Sequence, residues 1–199
     1  PVKVIIDSIF LKSLGDKELR SGMGEMAHYY FVSSKQDYVF FTKNFRKALN
    51  HNFKIAKKLI YRTLEIKKNF IEIDEFDKKE RLILNYGHSF GHALEAATDY
   101  KIPHGIAVAH GMNMANFVSL NFNYIENDDF FEMQDVLREI WGKYIPIGVK
   151  SKNLIDLLRK DKKNNNKNLK LILTEGVGKM KIKEVKVTSR FKKIIEDYI

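Results

Sequence analysis

Histidines with helical spacing are the first chemical signal in this 199-residue sequence. His88 and His92 follow Arg81 and Asn85 at intervals of four, three and four, so on one continuous helix all four side chains would share a face. A glycine directly precedes each histidine, although glycine costs a helix about 1 kcal/mol relative to alanine. That cost indicates close packing or ligand approach. A polar face of this composition favours a functional site over two surface histidines.

Two further stretches add ligands of the kind that bind metals. His104 precedes a long apolar helix, where a loop can direct its ring at the preceding helix, and Glu25 and His28 lie three apart on an earlier helix. Taken singly, Glu25 would be a solvated helix residue and His104 a neighbour of a helix N-terminus. A glutamate with two histidines, however, suits zinc and leaves coordination positions open for substrate oxygens. His110, among small apolar residues, is interpreted as structural.

The elements that must position these residues are predicted to be mainly α-helical. Helical periodicity or capping residues mark the segments 16–32, 45–70, 78–98, 105–121, 127–144, 151–160 and 189–198. A small β-hairpin is predicted over 169–173 and 179–182, around a Gly-Val-Gly turn. Residues 2–7 are β-branched and predict one short leading strand. Because a strand must pair with something, we expect the chain to begin within a longer protein.

The amino-acid composition limits the classes of function that this chain can have. The sequence contains no cysteine, which predicts a cytoplasmic location and leaves only His, Asp and Glu as metal ligands. No apolar run approaches the roughly 18 residues that a membrane span requires. The formal net charge of +10 is compatible with nucleic-acid binding. Lysine is scattered along the chain, however, which favours a small anionic substrate over nucleic acid as the partner.

The motifs resemble, in order and over essentially the whole chain, the C-terminal domain of 3-dehydroquinate synthase. This family belongs to the sugar-phosphate cyclase branch of the dehydroquinate synthase-like superfamily. The motifs that carry the resemblance are Glu-Leu-Arg-x-Gly-Met-x-Glu ending at Glu25, Lys67 before Asp74-Glu75, the stretch from Arg81 to Glu95, His-Gly-x-Ala-Val-Ala-x-Gly-Met from His104, and Asp161-Lys-Lys-Asn. The resemblance implies that residues 1–199 form a single helical metal- and substrate-binding domain. The family's N-terminal NAD-binding domain is absent from this chain, so the chain alone is expected to be inactive.

The resemblance also implies a role for each motif residue. Glu25, His88 and His104 would bind zinc or cobalt, and His92 would assist proton transfer near the departing phosphate. A second group of residues would hold the carboxylate, hydroxyls and phosphate of a phosphorylated sugar acid or sugar: Lys67, Arg81, Asn85, His28 and one of Lys162 or Lys163. Lys67, Arg81 and Asn85 are also expected to be catalytic. In the family, NAD oxidises a substrate hydroxyl, phosphate is eliminated, the ketone is reduced and the ring closes by aldol addition. Family members are commonly homodimers.

Two positions depart from the family pattern. His28 stands where the synthases have lysine, and Ile106 stands where they have glutamate after His-Gly. The first change removes a permanent charge from the substrate pocket, and the second is expected to remove outer support for the metal site. Two alternatives stay open: a metal-dependent alcohol or polyol dehydrogenase of the same superfamily, and a non-catalytic basic binding module with a vestigial site.

Overall fold

The computed structural model of the chain describes residues 2–160 and 168–199. The helices of this described part are α1 (Asp16–Ser33), α2 (Lys35–Leu49), α3 (Phe53–Ile73), α4 (His88–Ala97), α5 (His104–Asn121), α6 (Asn127–Trp141), α7 (Ser151–Lys160) and α8 (Ser189–Tyr198), with 3-10 helices at Ser8–Ser13 and Glu80–Asn85. Strands β1 (Asn168–Thr174) and β2 (Met180–Lys186) form an antiparallel hairpin in which Asn168 lies opposite Lys186. The predicted mainly helical fold with a C-terminal hairpin is confirmed.

Helix α5 is the centre of the hydrophobic core. Its side chains are apolar or small nearly all the way round, and residues from Gly105 to Ala115 are buried without interruption. A helix of this kind must be covered on every side. Helices α1, α4, α6 and α8 and strand β1 surround it. The first residue of α5 therefore lies between α1 and α4.

The prediction of one continuous helix over 45–70 is wrong, because the structure divides this segment between two helices. Helix α2 ends at Leu49, and His51 adopts a positive φ of 60° in the turn that follows. Asn52 then caps α3, its side chain accepting a hydrogen bond from the amide of Ile55 at 3.2 Å. Asparagine suits helix N-caps because its side-chain oxygen satisfies an otherwise unpaired amide. The apolar periodicity runs across the turn and conceals it.

The helix predicted over 78–98 is also divided, which overturns the shared face of Arg81, Asn85, His88 and His92. Arg81 and Asn85 belong to the 3-10 helix Glu80–Asn85, and the two histidines belong to α4. Gly87 separates the elements in a left-handed conformation with φ of 81°. Glycine adopts that conformation readily because it has no Cβ. The glycine that the periodicity places within a helix is in fact the N-cap of α4.

The leading strand predicted over 2–7 is not formed. Val2, Val4, Ile5 and Ile6 are exposed, and within residues 2–160 and 168–199 no strand pairs with them. A strand without a partner leaves its backbone hydrogen bonds to water. None of the helices in the described ranges is long and apolar enough to cross a membrane.

His110 has a structural role in the core, as its apolar surroundings predict. Its ring stacks on Trp141 with centroids 4.1 Å apart, and its Nε2–H donates to the carbonyl of Tyr144 at 2.9 Å. Burial lowers the pKa of His110 to about 4, although the hydrogen bond to Tyr144 opposes the shift. The folded protein therefore holds this imidazole neutral at pH values where an unfolded chain would protonate it.

This burial predicts a pH dependence of stability. The contribution of His110 is fully present above its ordinary pKa of 6.5 and is lost as the pH falls towards about 4. Between pH 7 and pH 5 the loss should be about 2 kcal/mol in the free energy of unfolding. Urea unfolding of His110→Gln should show a correspondingly smaller change, because glutamine does not titrate. The control is His51→Gln at an exposed turn, and an unchanged slope in His110→Gln would contradict this assignment.

Candidate metal centre

Three side chains from three different helices converge at one point. Glu25 comes from the middle of α1, while His88 and His104 are the first residues of α4 and α5. The Oε1 atom of Glu25 lies 3.2 Å from Nε2 of His104 and 3.6 Å from Nε2 of His88. The three potential ligand atoms all lie within 4.8 Å of one another. The structure therefore brings together the three residues for which the resemblance implies metal binding.

Both histidines are oriented by partners at their other ring nitrogen. Nδ1 of His104 lies 3.0 Å from Oε2 of Glu95, and Nδ1 of His88 lies 3.3 Å from the carbonyl oxygen of Tyr86. A neutral imidazole that donates from Nδ1 presents the lone pair of Nε2. Both lone pairs then face Glu25. Carboxylate and carbonyl partners of this kind orient the histidine ligands of metal sites.

Glu95 is a site residue that the sequence reasoning missed. Glu95 supplies a carboxylate to His104, and Ile106 lies fully buried in the core. The expectation that Ile106 removes outer support from the metal site stays a prediction. The position of Glu95 in the sequence could have identified it. Glu95 lies seven residues after His88, two helical turns along the same face of α4. A carboxylate buried on a histidine-bearing helix requires a partner.

The Oε1 atom of Glu25 is buried, and no hydrogen-bond donor satisfies it within the described part of the chain. Burial raises the pKa of Glu25, and Glu95 adds to the rise, whereas His104 and Lys67 oppose it. A carboxylate oxygen that faces two imidazole lone pairs is unfavourable unless a cation lies between them. Tetrahedral zinc with bonds of 2.0–2.1 Å separates its ligand atoms by about 3.4 Å. The distances of 3.2 and 3.6 Å fit that requirement.

Contact between glycines sets the crossing of α1 and α5. A Cβ on Gly24 would lie 1.9 Å from the carbonyl oxygen of Gly105, and one on Gly105 would lie 1.8 Å from that of Ser21. The amide of Gly105 donates to Oγ of Ser21 at 3.1 Å. Because Gly24 precedes Glu25 and Gly105 follows His104, this crossing places two of the converging side chains side by side.

Helices α4 and α5 also meet through glycines, which explains the two that precede His88 and His92. A Cβ on Gly87 would lie 2.8 Å from the carbonyl oxygen of Val108, and one on Gly111 would lie 2.1 Å from that of Gly87. Real Cβ atoms essentially never approach other atoms this closely. A Cβ on Gly91 would lie 3.0 Å from Cα of Val108, which requires the neighbouring backbone to shift by a few tenths of an ångström. Of the two reasons predicted for these glycines, close packing is confirmed.

Two further histidines flank the centre. His92 is exposed, with its ring centroid 5.4 Å from that of His104 and 5.6 Å from that of His88. His28 is only 2% exposed, and its ring meets His88 edge-on with centroids 4.9 Å apart. Burial holds the pKa of His28 well below its ordinary value, and the charges of His88, Lys67 and His104 lower it further. His28 is thus a neutral residue beneath His88 and exposes almost no surface to a substrate.

Of the other predicted substrate residues, Lys67, Arg81 and Asn85 fall within the described ranges. Lys67 is on the exposed side of α3, and its charge lowers the pKa of both Glu25 and His28, so it lies on the site side of the helix. Asn85 closes the 3-10 helix, donating from Nδ2 to the carbonyl of Leu82 at 3.1 Å. Lys162 and Lys163 fall within 161–167, outside the described ranges.

Arg81 is held by the turn that precedes the 3-10 helix. The carboxylate of Asp74 accepts hydrogen bonds from the amides of Lys78 at 3.0 Å, Lys79 at 2.7 Å and Arg81 at 3.2 Å. The guanidinium of Arg81 donates to the carbonyl of Glu75 at 2.8 Å. These amide hydrogen bonds hold the pKa of Asp74 below its ordinary value. Asp74 therefore fixes the backbone from which Arg81 projects, and the carbonyl of Glu75 holds its guanidinium.

The helical fold and the converging glutamate and histidines are typical of a metal-binding enzyme domain. Residues 22–164 match the family described as 3-dehydroquinate synthase C-terminal, and the chain belongs to this family. A bifunctional 3-dehydroquinate synthase/phosphatase from Fusobacterium nucleatum is 34% identical over all of this chain and 30% of its own length. A 3-dehydroquinate synthase from Campylobacter jejuni is 36% identical over 92% of this chain and 53% of its own length.

The chain thus spans about half the length of the Campylobacter protein and less than a third of the bifunctional one. A crystal structure of 2-deoxy-scyllo-inosose synthase with carbaglucose-6-phosphate, NAD+ and Co2+ is similar with a TM-score of 0.85 and 25% identity. The similarity covers 96% of this chain and 55% of that one. The relatives therefore include both 3-dehydroquinate synthases and another sugar-phosphate cyclase.

The glycine contacts yield a prediction that compares two positions in the same helix. Gly24→Ala should lower stability by about 1–3 kcal/mol, because backbone atoms of α5 cannot move away locally. That corresponds to a fall of roughly 2–10 °C in Tm for a chain of this size. Gly22→Ala, with nothing within 4 Å of the added Cβ, should instead raise stability by about 0.5–1 kcal/mol. Thermal unfolding of both variants checks this, and equal shifts would contradict the packing argument.

Proposed function

We propose that this chain is the metal- and substrate-binding domain of a metal- and NAD-dependent sugar-phosphate cyclase, a carbon-oxygen lyase of the 3-dehydroquinate synthase type. The observation that carries the proposal is the buried, unsatisfied Oε1 of Glu25 facing Nε2 of His88 and of His104. In the proposed reaction a substrate hydroxyl is oxidised and phosphate is eliminated. The ketone is then reduced and the ring closes by aldol addition.

Glu25, His88 and His104 would hold the divalent ion, zinc or cobalt. The carboxylate and two imidazoles fit zinc, and a bound ion would act as a Lewis acid on a substrate hydroxyl. The chain's own contribution is orientation: Glu95 and the carbonyl of Tyr86 hold the two rings so that both Nε2 atoms face one point. The cyclase with 25% identity that was crystallised with Co2+ supports this assignment.

The flanking residues would bind substrate and move protons. His92 is exposed beside His104, where its imidazole would exchange a proton with a departing phosphate. Lys67 and Arg81 would supply positive charge for phosphate or carboxylate, and Asn85 would offer an amide for a hydroxyl. Lys162 or Lys163 completes the proposed set. His28 contributes no charge to substrate, because it is buried and neutral.

NAD binding is assigned to a separate domain of the longer polypeptide, since this chain spans only part of its relatives. The proposed arrangement places the hydride acceptor in that domain and the ion and substrate in the domain formed by residues 1–199. A homodimer is proposed by analogy with the family. The substrate class is a phosphorylated sugar or sugar acid, because Lys67 and Arg81 provide the cations that such anions require.

The test uses the full-length polypeptide that contains this chain, stripped of metal by EDTA and supplied with NAD. Glucose 6-phosphate and phosphorylated sugar acids are the substrate probes. Turnover should release one inorganic phosphate per substrate with no net NADH, because the hydride returns to the ring. Zinc or cobalt should restore activity, and His88→Ala should lower it by at least about 100-fold, since a metal ligand is lost. The matched control is His51→Ala at an exposed turn.

Other outcomes would overturn the proposal. Stoichiometric accumulation of NADH without phosphate release would identify an alcohol or polyol dehydrogenase. Full activity after metal removal, or in His88→Ala, would show that the converging side chains are not the catalytic centre. DNA or RNA binding with a steep salt dependence and no metal uptake would favour the basic binding module.

A further inference from the structure

The imidazole of His104 faces two carboxylates from opposite nitrogens. Its Nε2 lies 3.2 Å from Oε1 of Glu25, and its Nδ1 lies 3.0 Å from Oε2 of Glu95. Glu95 belongs to α4 and is largely buried, with 12% of its side chain exposed. His104 itself is 43% exposed. The ring therefore borders the proposed metal centre on one side and a second polar cluster on the other.

This second cluster consists of His92, Glu95 and His104. One potential ligand atom from each residue lies within 4.8 Å of the other two. The rings of His92 and His104 are nearly parallel, at 21°, with centroids 5.4 Å apart. His92 and Glu95 lie three residues apart on α4, so both side chains project from the same face towards His104. Two imidazoles and a carboxylate again form a ligand set that suits a divalent cation.

We propose that His92, Glu95 and His104 form a second, weaker position for a divalent cation, which competes with the first position for His104. A neutral imidazole has one lone pair and one N–H, so it binds one cation at a time. Binding through Nδ1 requires the other tautomer, in which the proton has moved from Nδ1 to Nε2. His104 then no longer donates to Glu95, and that carboxylate becomes a ligand instead of an orienting partner. The two positions are therefore alternatives, and the chain holds one tightly bound ion.

The second position is weaker because an ion there removes the hydrogen bond from His104 to Glu95. Losses of such outer partners cost about 10- to 100-fold in metal affinity. An ion at the second position withdraws His104 from the first, so the ratio of the two affinities sets the share of ions at each position.

The test follows zinc binding to this chain in four forms: wild type, His88→Ala, the double variant His88→Ala with His92→Ala, and the matched double variant His88→Ala with His51→Ala. A chromogenic chelator measures affinity, and long-range proton–nitrogen spectra of the labelled imidazoles show which nitrogen of His104 binds zinc. Circular dichroism verifies the helical fold. If His88→Ala does not fold, Glu25→Gln removes the first position while keeping the shape of the side chain.

Wild type should bind one zinc through Nε2 of His104. His88→Ala should still bind one zinc, 10- to 100-fold more weakly and through Nδ1 of His104. Adding His92→Ala should weaken binding at least tenfold further, whereas adding His51→Ala should not. The second position is disproved if folded His88→Ala binds no zinc, binds it through Nε2, or is insensitive to His92→Ala. Failure of wild type to bind at Nε2 would instead overturn the first position and the proposed function.

Discussion

Backbone contact between helices at glycine residues is the constraint on which the whole site depends. Gly24 meets Gly105 where α1 crosses α5, and Gly87 meets Gly111 where α4 crosses α5, at distances that leave no room for a Cβ. Three of these four glycines are sequence neighbours of the converging side chains. The crossing of three helices, which is set largely by backbone contacts, therefore determines where the ligand atoms meet. Tight interior packing makes this arrangement rigid.

The electrostatics of the centre follow from that packing. Helix α4 brings Glu95 to one side of His104, and α1 brings Glu25 to the other. Burial raises the pKa of Glu25 and His104 opposes the rise, while repulsion between the two carboxylates adds to it. A divalent cation would relieve this repulsion and satisfy the unpaired Oε1. The same two contacts give His104 a cation position on either side of its ring.

Local sequence signals were sufficient to predict the elements whose ends are clearly marked in the sequence. Helix α5 is apolar throughout, and the Gly-Val-Gly turn marks the hairpin, so both could be predicted. The breaks at His51 and Gly87 could not, because apolar periodicity continues across each of them while a single residue takes a positive φ. The prediction of a leading strand over residues 2–7 failed for a different reason. Strand formation depends on a partner strand, which local propensity does not supply.

The candidate site was predictable where family motifs name residues and unpredictable where tertiary packing decides their environment. The motifs identified Glu25, His88 and His104, which the structure brings together. They did not reveal that Glu95 orients His104, because the two residues lie on different helices that only the packed fold brings together. They also did not reveal that His28 is buried under His88 rather than open to substrate. Burial and pairing of this kind arise only from the packed helices.

The most direct test of the central claim is anomalous diffraction at the zinc absorption edge from crystals of the zinc-loaded protein. We predict one strong peak at about 2.0–2.2 Å from Oε1 of Glu25 and from Nε2 of both His88 and His104. A peak that contacts none of these three atoms, or no peak in fully loaded crystals, would contradict the account.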